Sequence, residues 1–476
     1  MKAPRRSFIS FAFVCLVSGS VMATVDFTYE NDNKTLVATV SDADTALTTS
    51  VADQAWFTEG ITNFVKRGAK SLNVWKNVAN AYTGDIRIEQ YRLLFSGNAL
   101  GIDKAQGQIQ IASGALIQSG ANNPVTFAKD IAFGRDGEWN QRAIEVWEDR
   151  TATITGKITT GNRNDRIVVY KNGTLNVAGG IVDHASDDAG YLYVGAYNGA
   201  TVNFTGKPVV IKNPLYFNFS TYHNENPDKY RGSDGYFGHI TFGVPGNSMS
   251  AIGHDTGKDG GNFRLRYYEL KTTVDWAFNK SDMSVRFGND AKWDLCGTEQ
   301  RVGQFDVKVT TGNPSVVTNS SATPATLHLG MVYGPSSSPV ANIRFGGNLS
   351  VVFEKNIWTT RINYPMTATG SLTITGDGTG GANSAILQFE ENGSWANATN
   401  VTVNGVGKIK IANPNALGRR ANVNLASASS LEIASGVTVN VRTLTVGGIQ
   451  RQRGDYTFGS GTLSVTHPVG FQVNVR

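Results

Sequence analysis

Histidine and aspartate lie close together in two short stretches, which are the first candidates for chemistry in the sequence. HASDDAG (184–190) and GHDTGKDGG (253–261) supply the candidate residues His184, Asp187, Asp188, His254 and Asp255. Paired carboxyl groups cleave glycosidic bonds, and clustered carboxylate oxygens bind Ca²⁺. Neighbouring acids on a strand face opposite sides, so these pairs can cooperate only on loops. The two interpretations are therefore a catalytic or metal-binding loop and an ordinary solvated loop.

Tyrosine and phenylalanine are concentrated in one segment, NPLYFNFSTYHNENPDKYRGSDGYFGHITFG (213–243). Exposed aromatic rings offer apolar faces on which sugar rings can stack. We take Tyr222, Tyr230, Tyr236 and Phe237 as a possible ligand-binding loop. The alternative is that the first aromatic residues flank core strands and that the rest of the segment is one ordinary long loop.

Other motifs in the chain indicate turns and not cofactor sites. GDGTGG (376–381) fits the glycine pattern of a dinucleotide site, but no βαβ unit surrounds it. Arg453-Gly454-Asp455 is an integrin-type tripeptide that we interpret as turn chemistry. The six histidines have no zinc-binding spacing, and no G-x-S-x-G nucleophile motif is present. We therefore expect no cofactor and no bound metal, and we assign no catalytic residue.

Residues 1–23 have the pattern of an export signal peptide. A basic start, MKAPRRS, precedes the apolar run FISFAFVCLVSGSV, and the small-residue site VMA ends before Thr24. We expect this segment to be removed and the protein to be exported to the cell surface or the extracellular medium, with the periplasm as an alternative. No later stretch is apolar enough to cross a bilayer, so we expect no integral membrane segment. Cys15 lies in the signal, and Cys296 alone cannot form an internal disulfide.

The composition is typical of an all-β protein. The 476-residue chain contains 53 glycines and only 17% charged residues, and Val, Ile, Leu and Thr alternate with Asn, Ser and Gly. These residues form strands and turns, and helix signals are nearly absent. Loss of Lys2, Arg5 and Arg6 with the signal lowers the formal net charge from +5 to about +2. A near-neutral chain without a basic block predicts no nucleic-acid partner.

Short strands with period-two alternation recur along the rest of the chain. TATITGKIT (151–159), GSLTITG (370–376) and SLEIASGVTVNV (430–441) place apolar residues on one face, and small polar residues separate the strands. Hairpin signals are not placed systematically between neighbouring strands, which favours a stacked parallel solenoid over a sandwich. The tag NALG occurs at 98–101 and at 415–418, each time followed by IASG. We expect its leucine to point inward, with Asn and Gly forming a corner.

Three segments resemble the autotransporter-associated β-strand repeat family. They are FVKRGAKSLNVWKNVANAYTGDIRIEQYRLLFSGNALG (64–101), WDLCGTEQRVGQFDVKVTTGNPSVVTNSSATPATLHLG (293–330) and the closing LTVGGIQRQRGDYTFGSGTLSV (444–465). The resemblance implies an all-β, single-stranded, right-handed parallel β-helix of the passenger kind over 24–476. We expect a cap and first turns at 24–60 and terminal turns with a cap at 444–476. Classical members end in a translocator β-barrel, and this sequence lacks the amphipathic strands of a barrel after its last repeat.

The resemblance implies a surface-associated structural or adhesive protein of a Gram-negative-type bacterium. Its expected partners are surface glycans, host or matrix components, and an anchoring partner that the sequence does not identify. Two alternatives stay open on the same solenoid. One is a polysaccharide-degrading lyase or glycosidase that uses the candidate acids, and the other is a non-catalytic carbohydrate-binding protein that uses the aromatic loop. We favour a role without catalysis.

Overall fold

A computed structural model describes residues 25–31, 34–47, 60–75, 78–118, 124–134, 142–161, 165–184, 192–217, 232–253, 268–287, 290–307, 313–333, 340–341, 343–354, 359–376 and 386–467. Within these residues the regular structure is β-strand, apart from a short 3₁₀ helix at Ala428–Ser430. The chain divides into two compact units, Met1–Ile240 and Thr241–Arg476. The part of the chain described contains no helix with the length and apolar character needed to span a membrane.

The described strands up to the boundary between the units form three sheets. They are β1 (Val25–Glu30), β2 (Thr35–Val40), β3 (Thr45–Leu47), β4 (Asn63–Arg67), β5 (Leu72–Val74), β6 (Asp85–Ile88), β7 (Arg92–Phe95), β8 (Gln108–Ile111), β9 (Ala115–Gln118), β10 (Val125–Phe127), β11 (Asp130–Phe133), β12 (Ala143–Val146), β13 (Thr151–Ile154), β14 (Ile158–Thr159), β15 (Asp165–Val169), β16 (Thr174–Val177), β17 (Ile181–Val182), β18 (Leu192–Ala196), β19 (Ala200–Phe204), β20 (Val209–Val210), β21 (Leu215–Phe217) and β22 (Gly238–Phe242), which contains the boundary. Sheet A runs β1-β2-β4-β6-β8-β11-β14-β17-β20, and sheet C runs β10-β13-β16-β19-β22. Sheet B runs β3-β5-β7-β9-β12-β15-β18-β21.

Parallel pairing between consecutive turns defines the first unit as a solenoid. In sheet B, Leu72 pairs with Leu93, and Leu93 pairs with Leu116 on the next turn. Hydrogen bonds also join neighbouring turns, for example between Arg67 and Glu89, 22 positions apart, and between Lys212 and Asp183, 29 positions apart. At the start of sheet A, strand β1 pairs with β2 in the antiparallel sense. The predicted parallel β-solenoid is therefore confirmed.

The second unit repeats the same principle with four sheets. Its strands are β23 (Ala251–Ile252), β24 (Tyr268–Thr272), β25 (Asn279–Phe287), β26 (Lys292–Asp294), β27 (Glu299–Val307), β28 (Ser315–Asn319), β29 (Ala325–Tyr333), β30 (Val340–Ala341), β31 (Ile343–Gly347), β32 (Leu349–Phe353), β33 (Thr359–Ile362), β34 (Leu372–Gly376), β35 (Ile386–Phe389), β36 (Asn400–Gly405), β37 (Lys408–Ile411), β38 (Asn422–Leu425), β39 (Leu431–Ile433), β40 (Thr438–Val441), β41 (Thr443–Val446), β42 (Ile449–Gln450), β43 (Gly454–Phe458) and β44 (Gly461–Val465). Sheet D runs β23-β25-β27-β29-β32-β34-β36-β38-β41-β42. Sheets E, F and G run β24-β26-β28-β31, β30-β33-β35-β37-β39 and β40-β44-β43.

The inward residues of the strands form the core of each unit. Leu372 and Ile374 of β34 are both 0% exposed, as their alternation with threonine predicts. Trp395 is among the largest fully buried side chains of the second unit. Its indole N–H donates to the Ala368 carbonyl at 3.1 Å, and its ring stacks on Phe345 with centroids 5.5 Å apart. This aromatic stack fills part of the interior of the second unit.

The repeated NALG tag marks a corner in each unit, as predicted. Leu100 and Leu417 are buried, at 0% and 4% exposed. The side-chain oxygen of Asn98 accepts a hydrogen bond from the Thr126 N–H at 3.2 Å, which ties the corner to the next turn. Gly101 has a φ of +54°, in the left-handed region that favours glycine.

Candidate functional site

Six of the nine residues that the sequence singles out lie outside the described residues: Tyr222, Tyr230, Asp187, Asp188, His254 and Asp255. His184, Tyr236 and Phe237 are described. His184 follows strand β17 of sheet A, while Tyr236 and Phe237 precede strand β22. The Nδ1 atom of His184 is buried and has no hydrogen-bond partner within the described ranges.

Tyr236 and Phe237 differ in their exposure. Phe237 lies in the core at 1% exposed, whereas Tyr236 is half-buried. The Tyr236 ring packs edge-on against His239, with centroids 6.2 Å apart. The Nε2 atom of His239 lies 2.9 Å from Oδ2 of Asp234. In the described part of the predicted aromatic loop, the ring of Tyr236 is therefore accessible to a ligand, and the ring of Phe237 is not.

A cavity of about 390 Å³ lies beside sheet B in the first unit. We call it the Trp147 cavity, and it is lined by Arg92, Glu145, Trp147, Glu148, Arg150 and Tyr170. Arg92 begins β7, Glu145 lies within β12, and Trp147 directly follows β12. Ile144 and Val146 are buried in the core, so the alternation of the strand turns Glu145 outward.

The strand register places Glu145 in an apolar row on the outer side of sheet B. On the neighbouring turns it pairs with Ile117 and Val168, which are 0% and 7% exposed. Loss of hydration raises the pKa of the Glu145 carboxyl, although Arg92 and a hydrogen bond to the Trp147 side chain oppose this shift. Its Oε2 atom is buried and has no hydrogen-bond partner among the residues described. The carboxyl group therefore keeps its proton to a higher pH than an exposed glutamate does.

Arginines surround the outward carboxyl group. Arg92 and Arg166 occupy the same column of sheet B, with Ala115 and Ala143 on the turns between them. Arg150 lines the cavity from the turn after β12. Guanidinium groups bind carboxylates through two parallel hydrogen bonds, so Arg92 and Arg150 are suited to an anionic group of a ligand, beside the carboxyl groups of Glu145 and Glu148.

Aromatic residues follow three consecutive strands of sheet B at equivalent positions: Trp147, Tyr170 and Tyr197. The N–H groups of Tyr170 and Tyr197 donate to the carbonyls of Val146 and Val169 at 2.9 and 3.0 Å, which extends the strand pairing by one residue. Trp147 is 37% exposed, Tyr170 is half-buried and Tyr197 is buried. Because consecutive turns are about 4.8 Å apart, Trp147 and Tyr170 present two neighbouring aromatic groups to the cavity.

The second unit has a separate polar cluster on sheet D. The Nδ1 atom of His328 lies 2.8 Å from Oε1 of Glu354, and its Nε2 atom lies 2.7 Å from Oε1 of Glu299. Arg301 donates two hydrogen bonds of 3.0 Å to Glu354, and its guanidinium carbon lies 5.4 Å from the centre of the Trp276 ring. These groups bind one another, which indicates a structural network between turns.

The described ranges contain no group of three or more histidine, cysteine, aspartate or glutamate residues that could hold a metal ion. Cys296 is half-buried, and burial raises the pKa of its thiol to about 11. A thiol with such a pKa is a poor nucleophile at neutral pH because the thiolate is the reactive form.

The chain matches no family model, and no match is found among the curated proteins or the solved structures. The functional argument therefore depends on the geometry of the site.

The residues of the Trp147 cavity have only a weak signature in the sequence. In AIEVWEDR (143–150), Glu145 occupies the outward position of an otherwise apolar strand and is followed by Trp147. That pattern is the signal that could have indicated the site. Arg92 and Tyr170 have no such signal, because they reach the cavity from other turns through strand pairing.

Proposed function

We propose that this chain is a β-solenoid that binds an acidic polysaccharide at the Trp147 cavity. The observation that carries the proposal is one cavity that combines aromatic rings, Trp147 and Tyr170, with the guanidinium groups of Arg92 and Arg150. Sugar rings stack on aromatic faces, and guanidinium groups bind carboxylate or sulfate substituents. The volume of about 390 Å³ is within the range of small-ligand sites, so it suits part of a glycan chain.

A polymeric ligand agrees with the repeating surface of a solenoid. Equivalent positions recur about every 4.8 Å from turn to turn, so a chain of sugars can meet similar groups in succession. On the later strands of sheet B, Tyr193 and Tyr216 stack with ring centroids 4.8 Å apart. Tyr193 is half-buried, and it extends the aromatic surface beyond the cavity.

Affinity electrophoresis tests the binding. We expect gels with polygalacturonate, alginate or hyaluronan to retard the protein, and gels with neutral dextran to leave its mobility unchanged. Trp147→Ala should abolish most of the retardation. Trp75→Ala is the matched control, because Trp75 also follows a strand of sheet B and is 48% exposed but does not line the cavity. Equal retardation of Trp147→Ala and the unaltered protein would reject this surface.

We further propose an exported protein with a structural or adhesive role at a bacterial cell surface. The export-signal pattern of residues 1–23 and the resemblance to autotransporter passengers support this proposal. Binding of an acidic glycan would hold such a protein to surface or matrix polysaccharides. Cell fractionation with protease shaving of intact cells tests it. We expect a chain that begins near Thr24 in the envelope and loss of that chain on shaving, whereas confinement to the periplasm or cytoplasm would contradict the surface role.

A further inference from the structure

We infer that the Trp147 cavity hydrolyses a glycosidic bond of the polysaccharide that binds there, with Glu145 as the general acid. This inference rests on the proposed function, because the glycan must bind before it is cut. Two carboxyl groups, those of Glu145 and Glu148, line the same cavity. Hydrolysis of a glycosidic bond commonly uses such a pair, one to protonate the leaving oxygen and one to activate water.

The two carboxyl groups have contrasting surroundings. Glu145 is half-buried in the apolar row between Ile117 and Val168, and its buried Oε2 atom has no hydrogen-bond partner within the described residues. Glu148 is exposed on the turn that follows β12. Loss of hydration at Glu145 outweighs the attraction of Arg92 and Arg166, which suits this carboxyl group to donate a proton, and an exposed carboxylate is suited to accept one from water. The direction of the Glu145 pKa shift agrees with this assignment.

In the proposed step, Glu145 transfers its proton to the glycosidic oxygen while the bond from that oxygen to the anomeric carbon breaks. A water molecule forms the new bond to the anomeric carbon, and Glu148 takes a proton from that water. The products are one fragment with a new reducing end and one with a free hydroxyl group. Solvent then returns a proton to Glu145 and removes one from Glu148, so the reaction consumes one water molecule.

The neighbouring residues would position the glycan for this step. Trp147 and Tyr170 supply the faces on which a sugar ring stacks, and Arg92 and Arg150 bind the acidic substituents. Each of these four residues lines the same cavity as the two carboxyl groups. Positioning of this kind raises the rate, because the glycan loses its translational and rotational entropy on binding and not in the chemical step.

The test uses the full chain with polygalacturonate, alginate and hyaluronan as probes and measures gel retardation, reducing ends and unsaturated ends. We expect the unaltered protein to be retarded and to release reducing ends without unsaturated ends. Glu145→Gln should bind equally well, but its rate of release of reducing ends should be at least about 100-fold lower. Glu148→Gln, on an exposed turn, should show the same loss with the fold preserved. Glu89→Gln is the matched control, because Glu89 pairs with Arg67 and does not line the cavity.

Each outcome decides between binding and catalysis. Retardation of the unaltered protein without release of reducing ends overturns the catalytic inference and leaves the binding function in place. Absence of retardation rejects the binding function itself. Unsaturated ends indicate elimination and overturn hydrolysis, and full activity of either Glu145→Gln or Glu148→Gln overturns the role assigned to that residue. In the active protein the rate should fall as rising pH removes the proton from Glu145, because only the protonated carboxyl can donate.

Discussion

The Nε atom of Arg142 lies 3.2 Å from Oδ1 of Asp165, and both side chains are buried in the first unit, at 2% and 0% exposed. The Gly161 N–H donates to Oδ2 of Asp165 at 2.6 Å. Burial outweighs both interactions and raises the pKa of Asp165 to about 7. Between about pH 4 and pH 7 the folded chain therefore holds a proton on Asp165 that the unfolded chain has lost. Stability consequently falls as the pH rises through this window and is constant above it, as far as Asp165 contributes.

Asp165→Asn should remove this pH dependence. The contribution of Asp165 to the free energy of unfolding should decrease by roughly 1.4 kcal/mol for each pH unit between about 4 and 7, and the variant should lack that slope. Thermal melts across this range measure it. Asp130→Asn is the control, because Asp130 is 47% exposed in its pair with Lys157. If the stability of Asp165→Asn falls with pH as steeply as that of the control, the raised pKa of Asp165 is contradicted.

Gly101→Ala should strongly destabilise the first NALG corner. Gly101 has a φ of +54°, and a Cβ atom there would lie 1.7 Å from the Tyr82 carbonyl oxygen. Backbone strain and overlap together should cost roughly 3 kcal/mol or more. Gly436→Ala is the matched control, because Gly436 has a φ of +75° but no atom within 4 Å of its Cβ position, so about 1 kcal/mol is expected. Equal shifts of the melting temperature would show that the close contact is absent.

Trp395→Ala should be far more destabilising than the same change at an exposed tryptophan. Trp395 is 0% exposed, donates a hydrogen bond to Ala368 and stacks on Phe345. Its truncation should lower the free energy of unfolding by about 3 to 5 kcal/mol. Trp75 is 48% exposed, so Trp75→Ala should change it by about 0.5 kcal/mol at most. Denaturant titration of both variants measures the difference, and similar values would contradict the assigned interior position of Trp395.

Arg150→Gln should weaken binding of acidic glycans selectively. The loss of a charge-assisted hydrogen bond should lower the affinity for polygalacturonate about tenfold. Added salt should also lower the affinity of the unaltered protein for polygalacturonate. Arg87→Gln is the control, because Arg87 is 45% exposed on sheet A and does not line the Trp147 cavity. Affinity electrophoresis at several salt concentrations measures the effect. Retardation that is insensitive to both salt and Arg150→Gln would exclude the arginines from binding.

The fold could be predicted because each solenoid strand alternates apolar and polar residues, which is a signal within the strand's own sequence. The alternation of Leu372 and Ile374 with polar residues defines an inward face without reference to any distant part of the chain. The NALG corners are likewise local, since glycine permits the left-handed backbone that Gly101 adopts. The division into two compact units has no comparable local signal.

The candidate site could not be predicted, because it depends on register. Glu145 becomes a half-buried carboxyl group only when Ile117 and Val168 pair beside it on the neighbouring turns. Loops of unequal length separate the strands, so the sequence does not show which residues become neighbours. The sequence analysis instead selected segments dense in acids or aromatic residues, whereas the cavity is built from single outward residues of successive strands.

The pairing of each strand with one only a few tens of residues later has a consequence for how the chain folds. Contacts of this kind give each unit a low relative contact order, so a turn can form as soon as its predecessor is in place. Folding can then advance from one end while the rest of the chain is still extended. A polypeptide that emerges from a narrow secretion channel could fold in this stepwise way, since each turn that has emerged supplies the edge on which the next turn pairs.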